Sequence, residues 1–410
     1  MTKDSMTAHE WIRKGLTEHG QDPVREMLAM MAQMLMDADV DALCGAKYGQ
    51  RSDQRQNRRN GYRSRRWDTR VGSIDLGIPK LRQGSYFPDW LLEPRRRSER
   101  ALVSVVAEAY VNGVSTRKVE RLARSLGIDS LSKSKASEMI RSLDETVEAF
   151  RTRPLDAGPY PFLWLDAMEI KSREAGRVVN VTLVQAIAVN ADGHREILGL
   201  DVVTSEDGAA WLGFLRGLVS RGLSGVQLAI SDAHPGLRNA IASVFPGAAW
   251  QRCRTHFTIN LLTRVPKSAQ PAVATLVRSI FAQPDADSIL AQHAAVVRQL
   301  EPSFPQAAEL LDEAREEILA FRYFPKAVWR QIRSNNPLER LNKEVRRRTD
   351  VVGIFPGRAA LLRLTGAVLA EQNDEWLITR RYMSLEVLQT VLEKTEVAVA
   401  EGEPELALSA

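Results

Sequence analysis

Residues 161–204 read PFLWLDAMEIKSREAGRVVNVTLVQAIAVNADGHREILGLDVVT. Three runs rich in Val, Ile, Leu and aromatics, at 161–170, 178–190 and 197–204, are split by Glu174-Ala175-Gly176 and by Asn190-Ala191-Asp192-Gly193. Such runs, bounded by glycine and Asn/Asp clusters, are strands joined by tight turns, so the stretch predicts an antiparallel meander. Downstream, Trp211, Leu212, Leu215 and Leu218 give a helical pattern over 207–221, followed by a strand at 226–231, a helix from Pro235 to Val244 and a short strand near 248–251. Hairpins followed by crossovers predict an α/β sheet in which the first and fourth of these strands adjoin.

Two of those strands end on acids. Asp166 closes the run Phe162-Leu163-Trp164-Leu165, and Asp232 follows Leu228-Ala229-Ile230-Ser231. A carboxylate at the end of a dry strand needs a partner, because burying even a neutral polar group without one costs roughly 2 to 7 kcal/mol. A third acid, Glu339, stands in Asn335-Asn336-Pro337-Leu338-Glu339-Arg340. Each has an ordinary structural explanation: a backbone-bonded aspartate, a turn or capping aspartate, and a capping-box glutamate if Asn336 is the N-cap. Oxygen ligands converging on one point are also what a hard cation such as Mg²⁺ requires, and Mg²⁺ beside a phosphate substrate means phosphoryl transfer. The helix bearing Glu339 sharpens that alternative. Leu338, Leu341 and Val345 form an apolar stripe, and Glu339, Asn342, Lys343 and Arg346 share the neighbouring face.

The rest of the chain is organised around this sheet. Pro154, Gly158, Pro159 and Pro161 mark a boundary before it. Residues 258–328 are helical in pattern with no strand candidate, further helices are expected at 357–397, and the acidic tail 401–410 is expected to be disordered. Ahead of the boundary, 23–44 is a dense apolar helix or helix pair, with Met27, Met30, Met31, Met34, Leu35 and Leu43 serving as core or as a subunit contact. Residues 48–66 are polar, basic and nearly free of aliphatics, predicting a flexible arm in which Tyr48 and Tyr62 can stack on bases. A short hairpin follows over 67–80. Three helical patterns over 99–150, punctuated by Gly113, Ser115, Gly127 and Ser134, predict a helix-turn-helix whose third helix presents its first residues to base edges. The expected segments are 1–47, 48–97, 98–152, 153–257, 258–328, 329–400 and 401–410.

Charge placement points to a polyanion. The formal net charge of the 410-residue chain is +5, yet residues 51–100 hold 14 Lys/Arg against 6 Asp/Glu. A basic block on a near-neutral chain is an electrostatic footprint for nucleic acid. Arg58, Arg59, Arg63, Arg65 and Arg66 of the arm, Arg117, Lys118, Lys135 and Arg141 of the helical region, and Asn342, Lys343, Arg346, Arg347 and Arg348 near Glu339 are the expected DNA contacts. With 44% apolar and 26% charged residues the chain should fold. Two cysteines exclude a disulfide framework. No apolar run spans a membrane, and the first residues lack a signal-peptide core, so a cytoplasmic protein with no membrane partner is expected.

The run SNNPLERLNKEVRRRTDVVGIFP (334–356), the acids in FLWLDAMEIK and ISDAHPGLRNAI, the segment WQRCRTHF (250–257) and STRKVERL together resemble the Mutator-type transposases of bacterial insertion sequences. The resemblance covers most of the chain. It implies a ribonuclease H-like catalytic domain interrupted by an all-helical insertion, with an N-terminal helix-turn-helix DNA-binding region. It implies a DDE set in which Asp166, Asp232 and Glu339 hold two Mg²⁺ or Mn²⁺ ions. It also implies double-stranded terminal repeats and target DNA as partners, and a homodimer. Cys253 and His256 match the family's Cys-x-x-His element. That spacing invites zinc, but a structural zinc needs four ligands and Cys44 lies in a distant helical segment. His256 is therefore expected to act in the catalytic site, orienting a group or touching DNA near the scissile phosphate, with Cys253 packed beside the sheet.

Overall fold

The computed structural model describes residues 23–400 apart from 48, 93–99, 126, 127, 129, 130 and 142. The expectations for residues 1–22, Tyr48, Gly127 and the tail 401–410 lie outside the described residues. The chain divides into two compact units, Met1–Ser142 and Leu143–Ala410.

In the first unit, helix α1 (Pro23–Cys44) lies on a hairpin of β1 (Arg59–Thr69) and β2 (Gly72–Leu81). Its buried stripe is Ala32, Met36, Val40 and Cys44, spaced by four, which meets Ile74, Leu76 and Ile78 of β2. Met31, Met34, Leu35 and Leu43 point away and are exposed, which excludes them from this core and leaves the alternative of a subunit contact. The strand also begins at Arg59, within the stretch expected to be a flexible arm. The cause is specific: the buried Arg59 guanidinium reaches α1 and pairs with Asp37 at 2.7 Å and Asp41 at 2.8 Å. Arg59 is thus a strut of the unit and not a free DNA contact.

Helices α2 (Arg100–Val111), α3 (Thr116–Ser125) and α4 (Lys133–Ile140) form the expected trio. Gly113, at φ +85°, makes the turn after α2. The cap of α4 is Ser132, whose Oγ accepts from the Lys135 N–H, and not Ser134. The helix stops at Ile140, and α5 (Leu143–Thr152) belongs to the second unit, so the trio ends short of residue 152. Asp144 binds Arg363 at 2.6 Å, and a Cβ on Gly366 would sit 2.4 Å from Val147 Cγ1, a close approach only glycine allows.

The second unit is built on a mixed five-stranded sheet in the order β5-β4-β3-β6-β7, comprising β3 (Phe162–Glu174), β4 (Arg177–Val189), β5 (Arg195–Val203), β6 (Leu228–Ser231) and β7 (Ala249–Arg252). The first three form the antiparallel meander, and β6 and β7 run parallel to β3, so the first and fourth strands adjoin as expected. Alternation along β3 sorts its side chains. Leu163 and Leu165 join Trp211, Leu215, Leu237 and Ile241 of α6 (Gly208–Ser220) and α7 (Pro235–Val244) in one core. Trp164 projects from the other face, where its indole N–H donates to the Ser334 carbonyl at 3.2 Å. Between β7 and α14 (Asn336–Val352) the structure has only helical elements: α8 (Arg254–Leu262), α9 (Gln270–Ile280), α10 (Ala286–Leu300), α11 (Pro305–Glu313), α12 (Arg315–Leu319), α13 (Trp329–Ile332) and two short 3₁₀ turns. Helices α15 (Arg358–Ile378) and α16 (Leu385–Ala400) complete the unit.

One buried histidine among these helices sets a pH limit. His293 of α10 is 1% exposed, its Nε2 lies 3.0 Å from the Leu311 carbonyl, and burial holds its pKa below the ordinary value. Above about pH 6.5 both folded and unfolded chains carry it neutral, so it adds no pH dependence there. As pH falls below that value the unfolded chain takes the proton first, and stability is lost by up to about 1.4 kcal/mol per pH unit. In urea denaturation at pH 7.5 and 5.5, His293→Leu should gain stability relative to wild type at the lower pH, which removes the His293 share from the slope against pH. An unchanged slope in the variant would place the titrating group elsewhere.

Candidate active site

Asp166 sits in the interior of β3, not at its end, because the β3–β4 hairpin runs on to Glu174 and Arg177. The pairing of β3 with β6 is shorter: Phe162, Leu163 and Trp164 face Leu228, Ala229 and Ile230. Extending that register by two residues sets Asp166 level with Asp232, just past the last residue of β6. Where a parallel neighbour stops while β3 continues, the sheet opens a crevice at its carboxyl edge, the usual position for a ligand site in an α/β sheet.

Asp166 is half-buried and accepts hydrogen bonds from the Asn342 amide at 2.7 Å and from the Ala167 backbone N–H. Burial is the largest influence on its carboxyl and the neighbouring Asp232 charge adds to it, so the group is pushed up to about 6 despite those donors and His256. Asp232 turns the chain toward α7, accepting from the His234 N–H at 3.3 Å. The cap of α7 is His234, whose Nδ1 accepts from the Leu237 N–H. Asp232 is therefore not the N-cap, and its charge bears on Asp166, Glu206 and His256.

His256 lies on α8, directly after β7. Its imidazole is pushed up to about 9, first by the Cys253 sulfur and then by the charges of Asp166 and Asp232, against the opposing effect of burial. Its Nδ1 is buried without a partner in strict hydrogen-bond geometry. Cys253 is fully buried as expected, and its sulfur also accepts the Asn335 N–H at 3.3 Å. The Cys-x-x-His element therefore fastens β7 and α8 to the lead of α14.

That lead is strapped to β3 one residue after another. Trp164 donates to the Ser334 carbonyl, the Asn335 amide donates to the Leu165 carbonyl at 3.0 Å, and the Asn342 amide donates to Asp166. Glu339 is on the first turn of α14 after the N-cap Asn335, and its N–H bonds the Asn335 carbonyl. It is not a capping-box residue. Its Oε1 is buried with no hydrogen-bond partner, and its charge acts on Arg254.

Asp166, Asp232 and His256 thus act on one another through their charges, and Glu339, on the helix that bonds Asp166, acts on Arg254. Among the described residues no three His, Cys, Asp or Glu are close enough together to hold a metal ion. The donor chemistry nevertheless suits one. Asp166 is a carboxylate that burial pushes toward neutrality, and Glu339 Oε1 is an orphaned buried oxygen, which hard divalent cations relieve.

Not every expected contact residue is available to DNA. Arg117 and Lys118 of α3, Arg58 just before β1, and Arg63 and Arg66 of the hairpin are exposed. Arg63 donates to the Tyr86 carbonyl, and Arg65 lies 5.2 Å from the centre of the Phe87 ring. Lys135 pairs with Glu138 at 3.0 Å, and Arg141 is the exposed C-cap of α4. On α14, Lys343 and Arg346 face outward, and Arg347 does so while paired with Glu344 at 3.3 Å. Arg348 is buried against the same glutamate. Asn342 is turned inward to Asp166. The helical period placed both on a basic track, but packing of α14 against β3 assigned them to the interior.

Glu206 was not anticipated. Its Oε1 accepts from the Trp211 indole at 3.2 Å and lies 3.9 Å from His234 Nδ1, and burial followed by the Asp232 charge raises its pKa. The only sequence signal was a second acid beside Asp207, the N-cap of α6. Beyond Asp232, a cavity of about 390 Å³ is lined by Arg238, Trp250, Arg252 and Glu317, with Glu317 bridging the two guanidinium groups at 2.8 and 3.3 Å.

The sequence matches the family described as Transposase, Mutator family, over residues 1–379, and the chain belongs to that family. It is 61% identical to the transposase for insertion sequence element IS1081 of Mycobacterium tuberculosis, over 91% of this chain and 90% of that protein. It is 37% identical to the transposase for ISRM5 of Rhizobium meliloti, covering 95% of this chain and 97% of the relative. It is 36% identical to the transposase for IS256 in transposon Tn4001 of Staphylococcus aureus, covering 89% and 94%. The crystal structure of NurA aligns with a TM-score of 0.12, which carries no argument about the fold. No described helix is long and apolar enough to cross a membrane.

Proposed function

We propose that this protein is a DNA transposase of an insertion sequence, binding the element's terminal inverted repeats and catalysing strand cleavage and strand transfer with Asp166, Asp232 and Glu339 as a DDE set. The observation that carries the reading is the crevice at the carboxyl edge of β3 and β6, where Asp166 and Asp232 are level and α14, bearing Glu339, is strapped to β3, in a member of the Mutator family. The sheet and the helices between β7 and α14 are read as a ribonuclease H-like domain with a helical insertion.

Two Mg²⁺ or Mn²⁺ ions held by the three acids would polarise the scissile phosphate and stabilise the attacking and leaving oxygens. The chain's own residues set the stage for in-line displacement. In cleavage, a water oxygen bonds to phosphorus as the bond to the 3′ oxygen breaks. In joining, the freed 3′-OH attacks a phosphorus of the target strand and the target's own 3′ oxygen leaves. Asp166 is fixed by Asn342 and the Ala167 N–H, and His256 brings positive charge to the crevice. Exposed Arg58, Arg117 and Lys118 hold phosphates, and a homodimer brings two element ends together.

Incubation of the purified protein with labelled DNA carrying the flanking repeats should yield nicks at the element ends and joined products only when Mg²⁺ or Mn²⁺ is added. Nicking without joining would favour a structure-selective nuclease, and tight binding without nicking a DNA-binding regulator. Binding should weaken with salt. The combined change of Arg58, Arg117 and Lys118 to Gln should lower the slope of log affinity against log salt by up to about 3, roughly 0.9 per lost phosphate contact. An unchanged slope in fluorescence-anisotropy titrations would remove these residues from the DNA interface.

A further inference from the structure

Strand β4 is buried at nine consecutive positions, Val181 to Val189, and one of them is a glutamine. Gln185 is fully buried, and its Oε1 has no hydrogen-bond partner. An apolar residue there would avoid leaving a buried acceptor unsatisfied, at a cost of about 1–3 kcal/mol. Gln185 is the direct cross-strand neighbour of Asp166, so the two side chains leave the sheet on the same face. Its Nε2 donates to Asn342 Oδ1 at 2.9 Å, and Asn342 Nδ2 donates to Asp166 Oδ2 at 2.7 Å.

The polarity of this chain is forced from its charged end. An ionised carboxylate only accepts, so Asn342 must present its NH₂ to the charged form of Asp166, which turns its carbonyl toward Gln185; that carbonyl only accepts, so Gln185 must present its own NH₂. The orphaned Gln185 Oε1 is the residue of that constraint. The three groups come from β3, β4 and α14, so the relay forms only when α14 is seated on the sheet.

We propose that Gln185 and Asn342 are positioning residues that, beside the Ala167 N–H, fix the orientation of the Asp166 carboxylate through its Oδ2 and so aim the group at the divalent cation. The inference rests on the reading of Asp166 as a cation ligand. It adds that the ligand's orientation is set by a directional amide pair, one member of which lies in the core of the sheet. Partners that orient a metal ligand are worth about 10- to 100-fold in affinity when removed.

The test is Mn²⁺ binding to the full-length protein by isothermal titration calorimetry, beside thermal unfolding and end binding for each variant. Asn342→Ala should raise the Mn²⁺ dissociation constant about tenfold or more. Gln185→Met, which keeps the volume, should raise it several-fold, and the double variant should be no worse than Asn342→Ala because both act through one path. Gln185→Glu keeps size and shape but reverses the relay. The introduced carboxylate, once ionised, requires the Asn342 NH₂ and turns the Asn342 carbonyl toward Asp166, so Mn²⁺ affinity should fall below that of Gln185→Met. A packing role would make the loss of affinity follow thermal stability and not relay direction. Wild-type Mn²⁺ affinity in Gln185→Met and Asn342→Ala, with affinity lost in Asp166→Asn, would overturn the relay and leave the cation site standing. Undiminished affinity in Asp166→Asn would overturn the cation site and the relay with it.

Discussion

Asp166→Asn, Asp232→Asn and Glu339→Gln are each expected to reduce end cleavage and joining by more than about a hundredfold while leaving end binding within a factor of about two. The asymmetry follows from where the charges are needed. Loss of a cation ligand removes stabilisation of the transferring phosphoryl group, whereas affinity for DNA comes from phosphate neutralisation by basic residues elsewhere. Gel assays on labelled element ends, paired with anisotropy, read both quantities. A variant that still cuts would exclude that acid from the ligand set.

A second readout separates Asp166 from an ordinary catalytic acid. Its carboxyl is pushed up to about 6 in the folded protein, above the ordinary value near 3.8. Between those values the folded state binds more protons than the unfolded one, so stability falls as pH rises through the window and stays lower above it. At pH 7.5 without divalent cation, Asp166→Asn should therefore unfold at a higher temperature than wild type, by an increment worth up to about 3 kcal/mol. Mn²⁺ should narrow the gap by stabilising only the wild type. A lower unfolding temperature for the metal-free variant would show that the carboxylate is not strained by burial.

The largest effect on stability is expected from Trp164→Ala. Trp164 is fully buried on the α14 face of the sheet, makes an edge contact with Tyr382 and donates to the Ser334 carbonyl. Truncation leaves a cavity and a buried carbonyl without its donor, for a loss of about 3–5 kcal/mol. Because the same indole holds the lead of α14, cleavage should also fall, even where enough protein folds to be assayed. Trp164→Phe retains most of the volume and should lose about 1–2 kcal/mol, the share of the hydrogen bond and part of the ring. Denaturant titrations of the three proteins give the comparison. Equal stability of the Phe and wild-type proteins would mean that the strap to Ser334 contributes nothing.

The sequence by itself determined the elements whose signals are local. Apolar runs closed by Ala175-Gly176 and Asp192-Gly193 specified the meander, because backbone turn chemistry acts within a few residues. The adjoining of the first and fourth strands followed from chain topology. The family was legible in 334–356, where Asn, Glu and Arg stand at fixed spacing along one helix. Asp166 and Asp232 stood out one by one, since a charge directly after an apolar run is conspicuous without any partner in view.

Tertiary structure alone decided what each polar side chain faces. Asn342 and Arg348 share a helix with exposed Lys343 and Arg346, yet packing on β3 turned the first to Asp166 and enclosed the second beside Glu344. Arg59 belonged by composition to a free basic arm, until Asp37 and Asp41 of α1 held it. Gln185 gave no signal within an apolar strand, because its meaning lies in Asn342, distant in the chain and adjacent in space. Burial and pairing depend on contacts between elements, and a carboxylate's neighbours, unlike its position on a strand, are not fixed by local sequence.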